Sequence, residues 1–138
     1  IAEQSFYVGD TGTAHSIKLA MNLQIAMLAL SLSEGILLTK NAGFDPELFL
    51  KILNATYFKT GMSEGKAYKM INDQVKPTFT LANLKKDLDT INDAADSMNT
   101  QLPMAKLARE VYTNAIEAGF GDVDYTSIIS YIKKLSEK

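Results

Sequence analysis

From Thr13 to Ala42 the chain carries no proline and a single glycine, Gly35. That allows one unbroken helix of roughly 30 residues, well beyond the usual length for a globular protein. Between Ile17 and Leu30 its only polar side chains are Lys18, Asn22 and Gln24; the other positions are Ile, Leu, Ala and Met. A helix that is apolar on nearly every side is expected to be buried on nearly every side. The rest of the chain therefore has to wrap this rod. Lys40 in the last turn and Gly43 just beyond it predict a clean stop in a left-handed cap.

The remaining segments also read as helices. Asp45 is placed to cap a helix opened by Pro46, with Glu47 behind it and Leu48, Phe49, Ile52 and Leu53 on one face. Residues 54–78 contain two glycines and a proline and predict a loop with one helix, near 61–73. Thr80 starts a clearer helix in which Leu81, Leu84, Leu88, Ile91, Ala95 and Met98 recur at steps of three and four. Pro103 opens another, ended by Gly119, and Asp124 caps a last one carrying Ile128, Ile129, Ile132 and Leu135. Only "SFYVG", residues 5–9, has strand character. The expectation is an all-α bundle of about five or six helices with a long N-terminal helix.

Composition removes several functions. The net charge is −2, and no basic cluster is interleaved with aromatics, so nucleic acid is not expected as a partner. Cysteine is absent, which excludes a disulfide framework, a thiol nucleophile and a cysteine metal site. His15 is the only histidine and reads as a surface residue, and no metal site is expected. The apolar run from Leu23 to Leu32 is broken by polar residues and is followed by Glu34, so no membrane span is expected. No leader peptide is visible, and the expected location is cytoplasmic. The opening at Ile1 reads as a domain cut from a longer protein.

Within this greasy helix Lys18 and Asn22 stand four residues apart, so they share a face. A buried amine near a helix N-terminus titrates lower than a solvated one, and an amine tuned in that way can do acid–base work. Gly9 and Gly12 just ahead leave room for an anionic group to approach backbone amides at the helix start. Asn22 can both donate and accept. Such a stripe suits a small substrate bearing a carboxylate and a carbonyl or hydroxyl. The alternative is a lysine that lays its stem on apolar surface with its head in water. Lys85, Lys86, Asp87 and Asp89 read on their own as a solvated helix face, with Lys85 and Asp89 an i,i+4 pair.

Several stretches, in order, resemble one family. "GDTGTAHSIKLAMN", residues 9–22, is similar to the segment joining the two domains of β-hydroxyacid dehydrogenases, the group of 3-hydroxyisobutyrate dehydrogenase, tartronate semialdehyde reductase and the glyoxylate/succinic semialdehyde reductases. "SEGILLTKNAGFDPE", "FTLANLKKDLDTINDAA" and "QLPMAKLAREVYTNAIEAGFGDVDYTSII" resemble further motifs of that family, and together they cover Val8 to about Lys134. The resemblance implies a fold like the C-terminal domain of 6-phosphogluconate dehydrogenase. It implies that Lys18 is the acid–base lysine, that Asn22 and Gly12 contact substrate, and that Lys86 and Phe79 lie at the nicotinamide end of NAD or NADP. Two departures stand out: Thr13 and Ala14 replace smaller family residues, and Met21 replaces a residue that is often polar.

The resemblance also implies what is missing. The family's cofactor sits on a Rossmann domain with a G-x-G-x-x-G turn, and no such motif occurs here. Residues 1–12 are therefore expected to end an interdomain connection. Residues 13–138 would form the helical substrate and oligomerisation domain, which works with the Rossmann domain of the same protein on a small β-hydroxyacid or semialdehyde. The alternative is a helical dimerisation or binding module that kept the fold without the chemistry.

Overall fold

The computed structural model describes residues 4–72 and 74–137. Its axis is α1 (Thr13–Asn41), followed by α2 (Pro46–Asn54), α3 (Gly61–Gly65), α4 (Ala67–Ile71), α5 (Leu81–Ser97), α6 (Pro103–Ala115) and α7 (Ile128–Ser136). A π-type turn, Ile116–Phe120, extends α6, and a 3-10 turn, Tyr125–Ser127, leads into α7. The all-α expectation holds, with seven α-helices among the described residues where five or six were expected. The surplus arises in residues 54–78. The helix expected near 61–73 is broken at Lys66 into α3 and α4, and its expected end, Asp73, lies outside the described residues. Thr60 and Ser63 exchange backbone hydrogen bonds as a capping box and so fix the first short helix independently. Residues 5–9 form no strand, and Phe6 and Tyr7 are exposed. With no sheet edge beside it, a lone strand-like run has no partner for its backbone.

Most boundaries follow the residues that predict them. Gly43 has φ 86° beyond the end of α1. The Asp45 side chain accepts from the Glu47 amide at 2.9 Å, ahead of Pro46. Thr80 accepts from the Asn83 amide at 3.2 Å. Gly119, at φ 95°, turns the chain out of the α6 extension. The lone glycine inside α1 has a packing reason: the Phe49 ring lies so close that a β-carbon on Gly35 would stand 2.9 Å from its Cζ.

Helix α1 serves two cores. Leu19, Ala26, Ala29 and Leu30 pack with Leu81, Leu84, Leu88 and Ile91 of α5, Ala105, Ala108 and Tyr112 of α6, and Ile128 and Tyr131 of α7. Farther along, Leu32 and Ile36 meet Leu50, Ala67, Met70 and Ile129. Each leucine fully buried in this way contributes about 1.5–3 kcal/mol. By length and composition alone α1 could cross a bilayer, but here it is the rod on which both cores are built.

The expectation that α1 is buried all round is wrong: Gln24, Ser31, Glu34 and Leu38 are exposed, and the departure is greatest at its start. Among Thr13–Met21 only Leu19 is buried, while Ile17 and Met21 are 45% and 60% exposed. Of these first turns only Leu19 reaches the core, so an apolar surface stays open around Ile17 and Met21.

The two ends of the sequence pattern meet in a buried clasp. Asp124 caps the 3-10 turn as expected, accepting from the Thr126 amide and hydroxyl at 3.1 and 2.6 Å. It also accepts from the amide and hydroxyl of Thr78 at 3.0 and 3.1 Å, with Lys66 Nζ 3.5 Å away. Burial pushes this carboxyl's pKa up, but the bonds from Thr126 and Thr78, with Lys66 beside them, outweigh burial and hold it below its ordinary value. A depressed folded-state pKa stabilises the fold above the unfolded value of about 3.9, and that contribution is lost as pH falls through the folded value. Urea titrations should therefore find Asp124→Asn less stable than wild type at pH 6, with the gap narrowing below about pH 4. A gap independent of pH would show that the carboxylate's charge is immaterial.

Candidate active site

The glycine turn ahead of α1 needs its glycines: Gly9 and Gly12 have φ 94° and 103°, a region costly for other residues. The Ser16 amide closes the first helical turn on the Gly12 carbonyl at 3.3 Å. Lys18 follows about 9 Å along the axis, and helical side chains lean back toward the N-terminus, so its stem points toward the turn. Lys18 is exposed. The burial expected of it is absent: among the described residues α5 closes on this face at Asn22, one turn farther on, and leaves Lys18 open.

Asn22, one turn on, is half-buried and makes the site's central contact. Its Nδ2 donates to Asp87 Oδ2 at 2.8 Å, joining α1 to α5. Asp87 stands between Lys86 and Leu88, so the bond places Asn22 directly against the Lys-Asp-Leu segment. Next to it, Leu19, Ala20 and Leu23 face Ile91, Ala95 and Met98 across an apolar hollow of about 220 Å³. The charged face of α5 divides cleanly. Lys85 pairs with Asp89 at 2.7 Å, as their spacing predicts, and Asp87 is engaged by Asn22. Lys86 is exposed, and among the described residues neither it nor Lys18 forms an ion pair.

Not all candidates converge. Phe79 precedes α5 and lies about 12 Å along it from Asp87; it is half-buried, with its ring edge-on to Tyr125 at 6.0 Å. Gly12 is separated from Asn22 by about 15 Å of helix. His15 is exposed. Sequence reasoning missed Asp87, which it assigned to a solvated face. The clue was its spacing: three residues after Leu84 and four before Ile91, it belongs to the inward side of α5.

Residues 12–132 match the family described as NAD-binding of NADP-dependent 3-hydroxyisobutyrate dehydrogenase. The chain belongs to this family. It is 28% identical over 133 residues to glyoxylate/succinic semialdehyde reductase 1 of Arabidopsis thaliana, covering 96% of this chain and 46% of the relative. It is 27% identical over 128 residues to the cytokine-like nuclear factor N-PAC of Aedes aegypti, covering 93% of this chain and 23% of that protein. In structure it is similar to 3-hydroxyisobutyrate dehydrogenase from Salmonella typhimurium, with a TM-score of 0.87, 22% identity, and coverage of 94% of this chain and 46% of that one. The chain thus spans less than half the length of each of these family members. The structural likeness confirms the helical-domain fold predicted from the motifs.

Proposed function

We propose that this chain is the substrate-side helical domain of an NAD(P)-dependent dehydrogenase or reductase acting on a small β-hydroxyacid or semialdehyde. The observation that supports the reading is the Asn22–Asp87 bond, which holds Asn22, one turn after Lys18, against the Lys-Asp-Leu segment. In this reading Lys18 Nζ gives a proton to the substrate carbonyl oxygen during reduction and takes it from the hydroxyl during oxidation. Asn22 spends one N–H on Asp87 and keeps its second N–H and its Oδ1 for substrate. Gly12 opens the turn against which the substrate lies. Lys86 and Phe79 hold the nicotinamide end of the cofactor. Lys86 is exposed and forms no ion pair among the described residues, so its ammonium can donate to the carboxamide oxygen of that group, and the Phe79 ring precedes the same helix. The cofactor, when bound, supplies the hydride in reduction and accepts it in oxidation.

A Rossmann domain preceding residues 1–12 supplies the rest of the cofactor site. It covers the exposed start of α1, so that Lys18 becomes enclosed only in the whole protein. The open apolar surface around Ile17 and Met21, and the groove lined by Leu28, Met104 and Leu107, suit this docking and homo-oligomer contact.

One observation favours a second reading. A relative named as a nuclear factor carries the same domain, so the fold can also be read as a non-catalytic binding or dimerisation module. The two readings separate in one assay. The intact protein should oxidise NADH or NADPH with glyoxylate or succinic semialdehyde, or reduce NAD or NADP with 3-hydroxyisobutyrate. Cofactor binding or oligomerisation without turnover on any of these would favour the module.

A further inference from the structure

We propose that the Asp124–Lys66 pair is a positioning device for the cofactor end of the site, fixing Phe79 and the first turn of α5 and so the presentation of Lys86. This rests on the function proposed above. Asp124 is fully buried, and both its oxygens are committed: Oδ1 to the amide and hydroxyl of Thr126, Oδ2 to those of Thr78. Lys66, arriving from the junction of α3 and α4, touches three members of the group. Its Nζ lies 3.5 Å from Asp124 Oδ2, 3.1 Å from Thr78 Oγ1 and 4.5 Å from the centre of the Tyr125 ring.

Phe79 is held from each direction. Thr78 before it is bound by Asp124. Its own carbonyl accepts from the Tyr125 amide at 3.0 Å, and its ring meets the Tyr125 ring edge-on. Beyond it, the Leu81 and Ala82 amides donate to the Val123 and Gly121 carbonyls at 2.9 and 3.0 Å. The strap from Thr78 into the first turn of α5 is thereby tied to residues 121–126. An apolar side chain of the same volume in place of Asp124 would fill the space without the desolvation cost of a buried carboxylate. Directional bonds to a carboxylate fix one placement of the strap, which apolar packing does not.

The test uses the full-length protein. Lys66→Met and Thr78→Val should each raise the Kd for NADH or NADPH, followed by the cofactor's own fluorescence, roughly tenfold. Values of kcat at saturating cofactor should stay within about twofold of wild type. Thr78→Ser, which keeps the hydroxyl, should restore affinity. Lys106→Met, which removes a surface pair to Asp96 at 3.9 Å, should change nothing. Hydrogen exchange should speed up at the amides of residues 79–84 in the two weakened variants. Unchanged cofactor affinity in both variants, or a fall in kcat with affinity intact, overturns the proposal. A wild-type protein that binds neither cofactor would overturn the function proposed above and this inference with it, whereas unaltered variants of a cofactor-binding protein sink this inference alone.

Discussion

Replacing Lys18 with alanine in the intact protein should lower kcat about a hundred- to ten-thousandfold, the range supplied by one positioned proton donor. The fold should not notice the change. Lys18 is exposed and makes no ion pair among the described residues, so its loss should alter stability by no more than about 0.5 kcal/mol. The combination is diagnostic. A lysine that only snorkelled over apolar surface would leave both quantities unchanged, and one that supported packing would lower stability along with rate. Steady-state kinetics and urea denaturation on the same preparation distinguish the three.

The second large effect is expected at Asp87. Asp87→Ala removes the acceptor that fixes Asn22, and the freed amide can rotate away from the substrate. A hydrogen bond to a charged group is worth about 1.5–3 kcal/mol, so kcat/KM should fall roughly ten- to a hundredfold. Asp87→Asn keeps an acceptor oxygen in nearly the same place and should retain most of the activity. Cofactor affinity should hold in both. Equal losses in the two variants would mean that the carboxylate's charge matters more than its grip on Asn22.

The helical architecture was legible because its signals are local. Gly43, the Asp45-Pro46 start, the Thr80 cap and Gly119 each act through the backbone of their own turn, and each appears where it was read. The Lys85–Asp89 pair was legible for the same reason. What escaped was tertiary. No spacing rule joins Asn22 to Asp87 or Thr78 to Asp124, since those pairs exist only after helices distant in sequence have packed. Lys66 escaped too, because it lies at the junction of two short helices that the sequence reading took as one.

The instructive error concerns α1. An apolar pattern states what a helix can bury, not what is at hand to bury it. From Ala26 to Ile36 the domain supplies partners on one side only, burying Ala26, Ala29, Leu30, Leu32 and Ile36 while Ser31 and Glu34 stay exposed. Around Ile17 and Met21 it does not, and the same pattern leaves an open surface. The residues proposed for chemistry sit at that change, on the flank of α1 where this domain's own packing gives out.

The most direct test of Lys18 as the acid–base group is chemical rescue of Lys18→Ala in the full-length protein by small primary amines. Methylamine or ethylamine should restore part of the lost kcat in a concentration-dependent way, because a free amine can occupy the vacated space and carry the proton. Full activity in the variant without amine, or a loss that no amine relieves while substrate and cofactor still bind, would contradict the assignment.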